Sequence, residues 1–119
     1  MKKLLALSIL IALTGCAEKK PLTLEEQWRG YCTSVGNAAR SIVLDRQNGI
    51  TKDKAVEYAE KIEDETTKGF ILKIVDEAYA LPETEIKEDV EGSRNRLKEK
   101  TTATCIATPH DQMPDYKPF

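Results

Sequence analysis

Histidine is almost missing from this chain: His110 is the only one. Zinc sites draw on histidine and cysteine, and with a single histidine and three widely spaced cysteines no metal is expected. A Cys-x-x-Cys pair is absent, which removes the usual redox motif. The sequence also lacks a Gly-rich phosphate loop, a His-Glu metalloprotease motif and a nucleophile elbow. Neither a cofactor nor an enzymatic activity is expected. Aromatic residues make up only 6%, so Ile, Leu, Val and Ala must supply most of the core. No segment alternates polar and apolar residues between turn signals, so strands are not expected.

Long apolar runs are missing too, apart from one. Leu4 to Leu13 is apolar except for Ser8 and follows the basic Met1-Lys2-Lys3. It is shorter than the ~20 apolar residues a spanning helix requires, and it has the form of a signal-peptide core. It ends in Leu13-Thr14-Gly15-Cys16. That tetrad resembles the lipobox of bacterial lipoproteins: an aliphatic residue, two small ones, then the cysteine that takes diacylglycerol and commonly palmitate. The resemblance implies that residues 1–15 are removed and that Cys16 carries the membrane anchor. Residues 16–22 then form a short tether. Ala17 stands where Asp would signal inner-membrane retention, so the expected location is the outer membrane, facing the periplasm. Lys2 and Lys3 leave with the leader. The remaining chain has 16 basic and 20 acidic residues, a net charge of −4, which gives no electrostatic reason to bind nucleic acid.

Lipidation of Cys16 leaves Cys32 and Cys105, and export places both in an oxidising compartment. A Cys32–Cys105 disulfide is the expected pairing. By the loop-entropy model such a crosslink is worth about 4 kcal/mol, a large share of the stability of a domain this small.

The mature chain reads as all-α, a small four-helix bundle stapled by that disulfide, over residues 23–106. Thr23-Leu24-Glu25-Glu26 is a capping box. It opens a helix with Trp28, Cys32, Val35, Ala39, Ile42 and Val43 on one stripe. Asn48-Gly49 ends it. Thr51 caps a shorter helix with Ala55, Val56, Ala59 and Ile62 inward. After a polar break from Glu63 to Thr67, a third helix carries Phe70, Ile71, Ile74, Val75, Ala78 and Tyr79, and stops before Pro82. Thr84 is expected to cap a fourth, with Ile86, Val90, Ser93, Leu97 and Thr101 leading to Cys105. Antiparallel first and last helices bring Cys32 and Cys105 together. Residues 107–119, with Pro109, Pro114 and Pro118, form an extended, mobile tail.

Four segments carry a further resemblance: Tyr31-Cys32 with Val35 to Ala39, Asp45-Arg46-Gln47-Asn48-Gly49-Ile50, Ile74 to Pro82 with its Ala78-Tyr79, and Cys105. Together they are similar to a group of small uncharacterised exported proteins of proteobacteria and their prophages. The resemblance implies the helical fold and the disulfide but no activity. The lipobox and the residues beyond Cys105 depart from the group's pattern.

Few residues invite a binding role. Arg40 and Arg46 are candidates for partner contact, although an arginine at a helix end commonly satisfies terminal carbonyls. Tyr116 and Phe119 in the tail are the others. Glu63-Asp64-Glu65, Asp76-Glu77 and the acids around the fourth helix read as solvated or dipole-facing. The leading expectation is a membrane-anchored periplasmic lipoprotein that binds an envelope protein as an inhibitor, an immunity or exclusion factor, or an assembly partner. A periplasmic chaperone or stress protein is the second reading and an enzyme the third.

Overall fold

The structure, a computed structural model, describes residues 20–115. The leader, Cys16, Tyr116 and Phe119 lie outside the described residues. Five helices follow one another, α1 (Leu24–Gln47), α2 (Lys52–Glu60), α3 (Glu65–Ala80), α4 (Glu83–Glu88) and α5 (Val90–Ala107), and no strand occurs among the described residues. The all-helical fold is the expected one.

The local signals act as the sequence implies. Thr23 Oγ1 accepts the amide of Glu26 at 3.1 Å and Thr51 Oγ1 that of Lys54 at 3.3 Å, so both threonines satisfy amides at a helix start. At the end of α1 the chain turns through Gly49 at φ 89°. The Ile50 amide bonds the Asp45 carbonyl and the Gly49 amide bonds that of Arg46. This is a Schellman closure, and it needs the left-handed residue that glycine supplies without strain. Leu81 is extended before Pro82 and ends α3.

Packing then sets directions. Trp28 and Cys32 lie beside Cys105, and Arg40 and Gln47 beside residues 90–95, so α1 and α5 run antiparallel. Tyr31 meets Thr67 and Arg46 meets Ala78, so α1 and α3 run parallel, with α2 returning the chain between them. The core is Trp28, Tyr31, Cys32, Val35, Ala39 and Val43 of α1, facing Ile71, Ile74, Val75 and Ala78 of α3 and Leu97 and Cys105 of α5. Gly36 lets α1 and α5 approach closely: a Cβ there would overlap Thr102 Oγ1 and lie 3.1 Å from the Lys98 carbonyl oxygen. Cys32 and Cys105 are disulfide-bonded with Cα atoms 5.4 Å apart.

Three expectations need correction. The single fourth helix is two: Asp89, at φ −122° and ψ 64°, breaks it into α4 and α5. Arg96 spans the break, donating to Glu85 and to Asp89 at 2.7 Å. Gly92 leaves room for the Asp89 carboxylate, which a Cβ there would meet. The helix opens at Pro82 rather than Thr84, and Val90 faces outward. The polar break is shorter than expected, because Asp64 caps α3 and Thr67 is buried. Thr67 donates its hydroxyl proton to Asp64 at 2.6 Å, so Tyr31 must be the donor in its 2.8 Å bond to Thr67. Residues 108–115 of the tail lie against the bundle.

Candidate functional site

Arg46, offered by the sequence for partner contact, is used inside the fold. Its Nη1 donates to the carbonyl oxygens of Ala78 (2.8 Å) and Leu81 (2.7 Å). These are acceptors that the end of α3 leaves without helical partners. Tyr79, on the same turn, donates its hydroxyl to the Ile50 carbonyl at 2.5 Å. Burial, and then the Asp45 carboxylate, push the Tyr79 phenol above its ordinary pKa. Gln47 spans the α4–α5 break. Its amide nitrogen lies 3.2 Å from the Ile86 carbonyl, 3.1 Å from that of Val90 and 3.1 Å from Ser93 Oγ, while its oxygen accepts from Arg94 at 2.6 Å. The Asp45-to-Ile50 and Ala78-Tyr79 segments thus meet one another, and Arg46, Gln47 and Tyr79 each have a partner within the fold. Arg40 ties α1 to α5 through Glu91 at 2.9 Å and Asn95 at 3.4 Å. This exposed pair contributes little to stability.

The acidic groups also have local roles. Asp76 pairs with Lys52 at 3.0 Å and Glu77 with Lys100 at 3.8 Å. Arg96, first by its hydrogen bond, holds the Asp89 carboxyl below its ordinary pKa. Among the described residues, no group of three or more His, Cys, Asp and Glu side chains could hold a metal ion. Nor is any helix among them long and apolar enough to cross a membrane.

Two further features stand out among the described residues. The first is an apolar groove of about 370 Å³ between α1, α2 and α3. Ser34, Ala38, Ser41, Ile42 and Asp45 form one wall; Ala55, Tyr58, Ala59 and Ile62 form the other; Ile71 and Val75 form the floor. Its origin is mechanical. The nine-residue α2 leans on α3 rather than on α1, and the small side chains on the facing walls do not fill the gap. Tyr58 stands at the rim, 56% exposed. The sequence shows these residues only as the inner face of two helices. A groove requires the tilt of one helix against another, which periodicity does not encode.

The second is an aromatic clamp at the N-terminal end of the bundle. Trp28 packs against Tyr31 and Phe70 with ring centroids 5.1 and 6.5 Å away. Its indole N–H donates to the Cys105 carbonyl at 3.1 Å. Residues 108–115 fold over this cluster and leave a cavity of about 530 Å³ beside it, lined by Asp64, Thr66, Phe70 and the tail itself. His110 stacks on Trp28 at 4.2 Å with the planes 11° apart. Residues 108–115, expected as part of an extended, mobile tail, lie against the bundle here. The physical reason is a flat apolar indole face at the bundle end that the imidazole covers.

Comparison of the chain with protein-family models, curated proteins and solved structures finds no match.

Proposed function

We propose that this chain is a lipid-anchored lipoprotein of the bacterial envelope that works by binding another protein, as an inhibitor, an immunity or exclusion factor, or an assembly partner. The observation that carries the binding reading is the groove between α1, α2 and α3. It is concave, apolar, walled by helices and rimmed by an exposed tyrosine, the combination that protein-binding surfaces favour. The anchor reading rests on the basic start, the apolar run and the Leu13-Thr14-Gly15-Cys16 tetrad. The Cys32–Cys105 bond supports it, since such bonds persist in oxidising compartments. Ala17 favours the outer membrane, facing the periplasm. A periplasmic chaperone or stress protein is the second reading. It is favoured by the tail lying over Trp28 and Phe70, an aromatic surface that release of the tail would offer to clients.

A photo-crosslinking residue at Tyr58, in intact cells, tests the binding reading. One dominant envelope protein should be captured, and capture should be lost when Ile42→Asp charges the facing wall. The same residue placed at Glu99, on the far helix α5, should capture nothing. A broad set of unfolded proteins instead of one partner would transfer the assignment to the chaperone. An empty capture would overturn binding at the groove. Palmitate labelling tests the anchor separately: Cys16→Ser should abolish it, and persistent labelling would remove the anchor from the proposal.

A further inference from the structure

His110 and Trp28 are the chain's only histidine and only tryptophan, and they meet face to face. Both imidazole nitrogens face oxygens that can only accept. Nδ1 lies 2.8 Å from the Thr108 carbonyl oxygen and Nε2 lies 3.0 Å from a Glu25 carboxylate oxygen. A neutral imidazole carries one N–H and satisfies one of these; its other nitrogen then turns a lone pair toward an oxygen. An imidazolium donates to both. The Trp28 face attracts a cation more strongly than a neutral ring.

The charged side chains around the ring are acidic. Glu25 faces the ring from α1, Asp64 lies at the start of α3, and Asp111 and Asp115 come from the segment itself. α5 contributes the Cys105 carbonyl to the indole and no charged side chain to the cavity. Apart from His110, no basic side chain among the described residues lines it. The His110 side chain is only 11% exposed.

We propose that residues 108–115 form a pH-sensitive latch over Trp28, closed while His110 is an imidazolium and opening as it loses its proton. The hydrogen bond to the Thr108 carbonyl holds His110 above its ordinary pKa of 6.5; burial opposes this, and the Glu25 carboxylate adds to it. A group raised in the folded state stabilises it fully below the unfolded pKa, and that contribution is lost as the pH rises through the folded one. Acid therefore closes the latch, and the neutral-to-alkaline side opens it. Opening uncovers the indole, which is 2% exposed when the latch is closed, together with the neighbouring Phe70. The latch is independent of the groove and of any partner seated there.

The single imidazole and single indole make the test direct. The full chain, isolated without a polyhistidine tag, is titrated from pH 5 to 9. The imidazole is followed by NMR and Trp28 by its fluorescence, which a stacked imidazolium quenches. The two curves should share a midpoint above 6.5, and the protection factors of the non-proline amides of residues 108–115, which correct for base-catalysed exchange, should fall above it. Glu25→Gln should lower the midpoint. His110→Phe, which keeps a ring on Trp28 without a proton to lose, should abolish the fluorescence transition while helix content stays unchanged. A midpoint at or below 6.5, or Trp28 emission that does not change across the imidazole titration, would overturn the latch.

Discussion

Arg46, in the last turn of α1, closes the end of α3 by donating to Leu81 at 2.7 Å across 35 residues of sequence, and to Ala78 by the same nitrogen. Arg46→Ala leaves two partly buried carbonyls without this donor. Unpaired groups of that kind cost about 1–3 kcal/mol, so urea unfolding should show a loss of about 2 kcal/mol with little change in slope. An unchanged midpoint would mean that water replaces the guanidinium at no cost.

The disulfide links the ends of the two longest helices, α1 near its start and α5 near its finish. Cys32→Ala, Cys105→Ala and the double variant should each lose about 4 kcal/mol, and the same amount, because one bond is removed in all three. Losses that differ between the single variants, or that add in the double, would contradict this pairing.

Gly36 faces α5, where an added Cβ would meet Thr102 and the Lys98 carbonyl. Gly36→Ala gains helix propensity but pushes a methyl into Thr102, and overpacking of this kind costs about 1–3 kcal/mol. The net effect should be destabilising in a thermal melt. Thr102→Ala should recover part of the loss, though not the part due to the Lys98 carbonyl. A stabilised Gly36→Ala would show that the two helices separate easily.

Thr101 is buried, and its hydroxyl has no hydrogen-bond partner among the described residues. Thr101→Val keeps the shape and removes the stranded group. Stability should rise by about 1 kcal/mol, which for a domain of this size raises the Tm by about 4–8 °C. An unchanged or lower Tm would reveal that the hydroxyl finds a partner in solution.

The local features were legible because their causes lie within a few residues of one another. Thr23 and Thr51 cap helices through amides three positions on, Gly49 supplies a backbone angle that the Schellman turn demands, and Pro82 forbids helix just before itself. The stripes from Trp28 to Val43 and from Ile71 to Ala78 gave the core faces through their period alone. Elimination among three cysteines gave the disulfide. Arg46 was visible as a helix-end arginine, but the carbonyls it bonds belong to a different helix. Gln47 carried no signal of its own.

What the sequence by itself determined is therefore the helical class, most helix ends, the inward faces and the crosslink. Tertiary structure decided the rest. The pattern of α4 and α5 runs through Asp89 without a breaking residue, and the break depends on Arg96 and Gln47 holding either side of it. The groove depends on which neighbour the short α2 leans against. His110 reads as a tail residue until the fold places an indole face and the Glu25 carboxylate beside it. Periodicity and capping act over one or two helical turns. Most of these features need groups far apart in sequence, such as Gln47 and Ile86 across 39 residues or Glu25 and His110 across 85, and only the packed arrangement of whole helices fixes which distant groups meet.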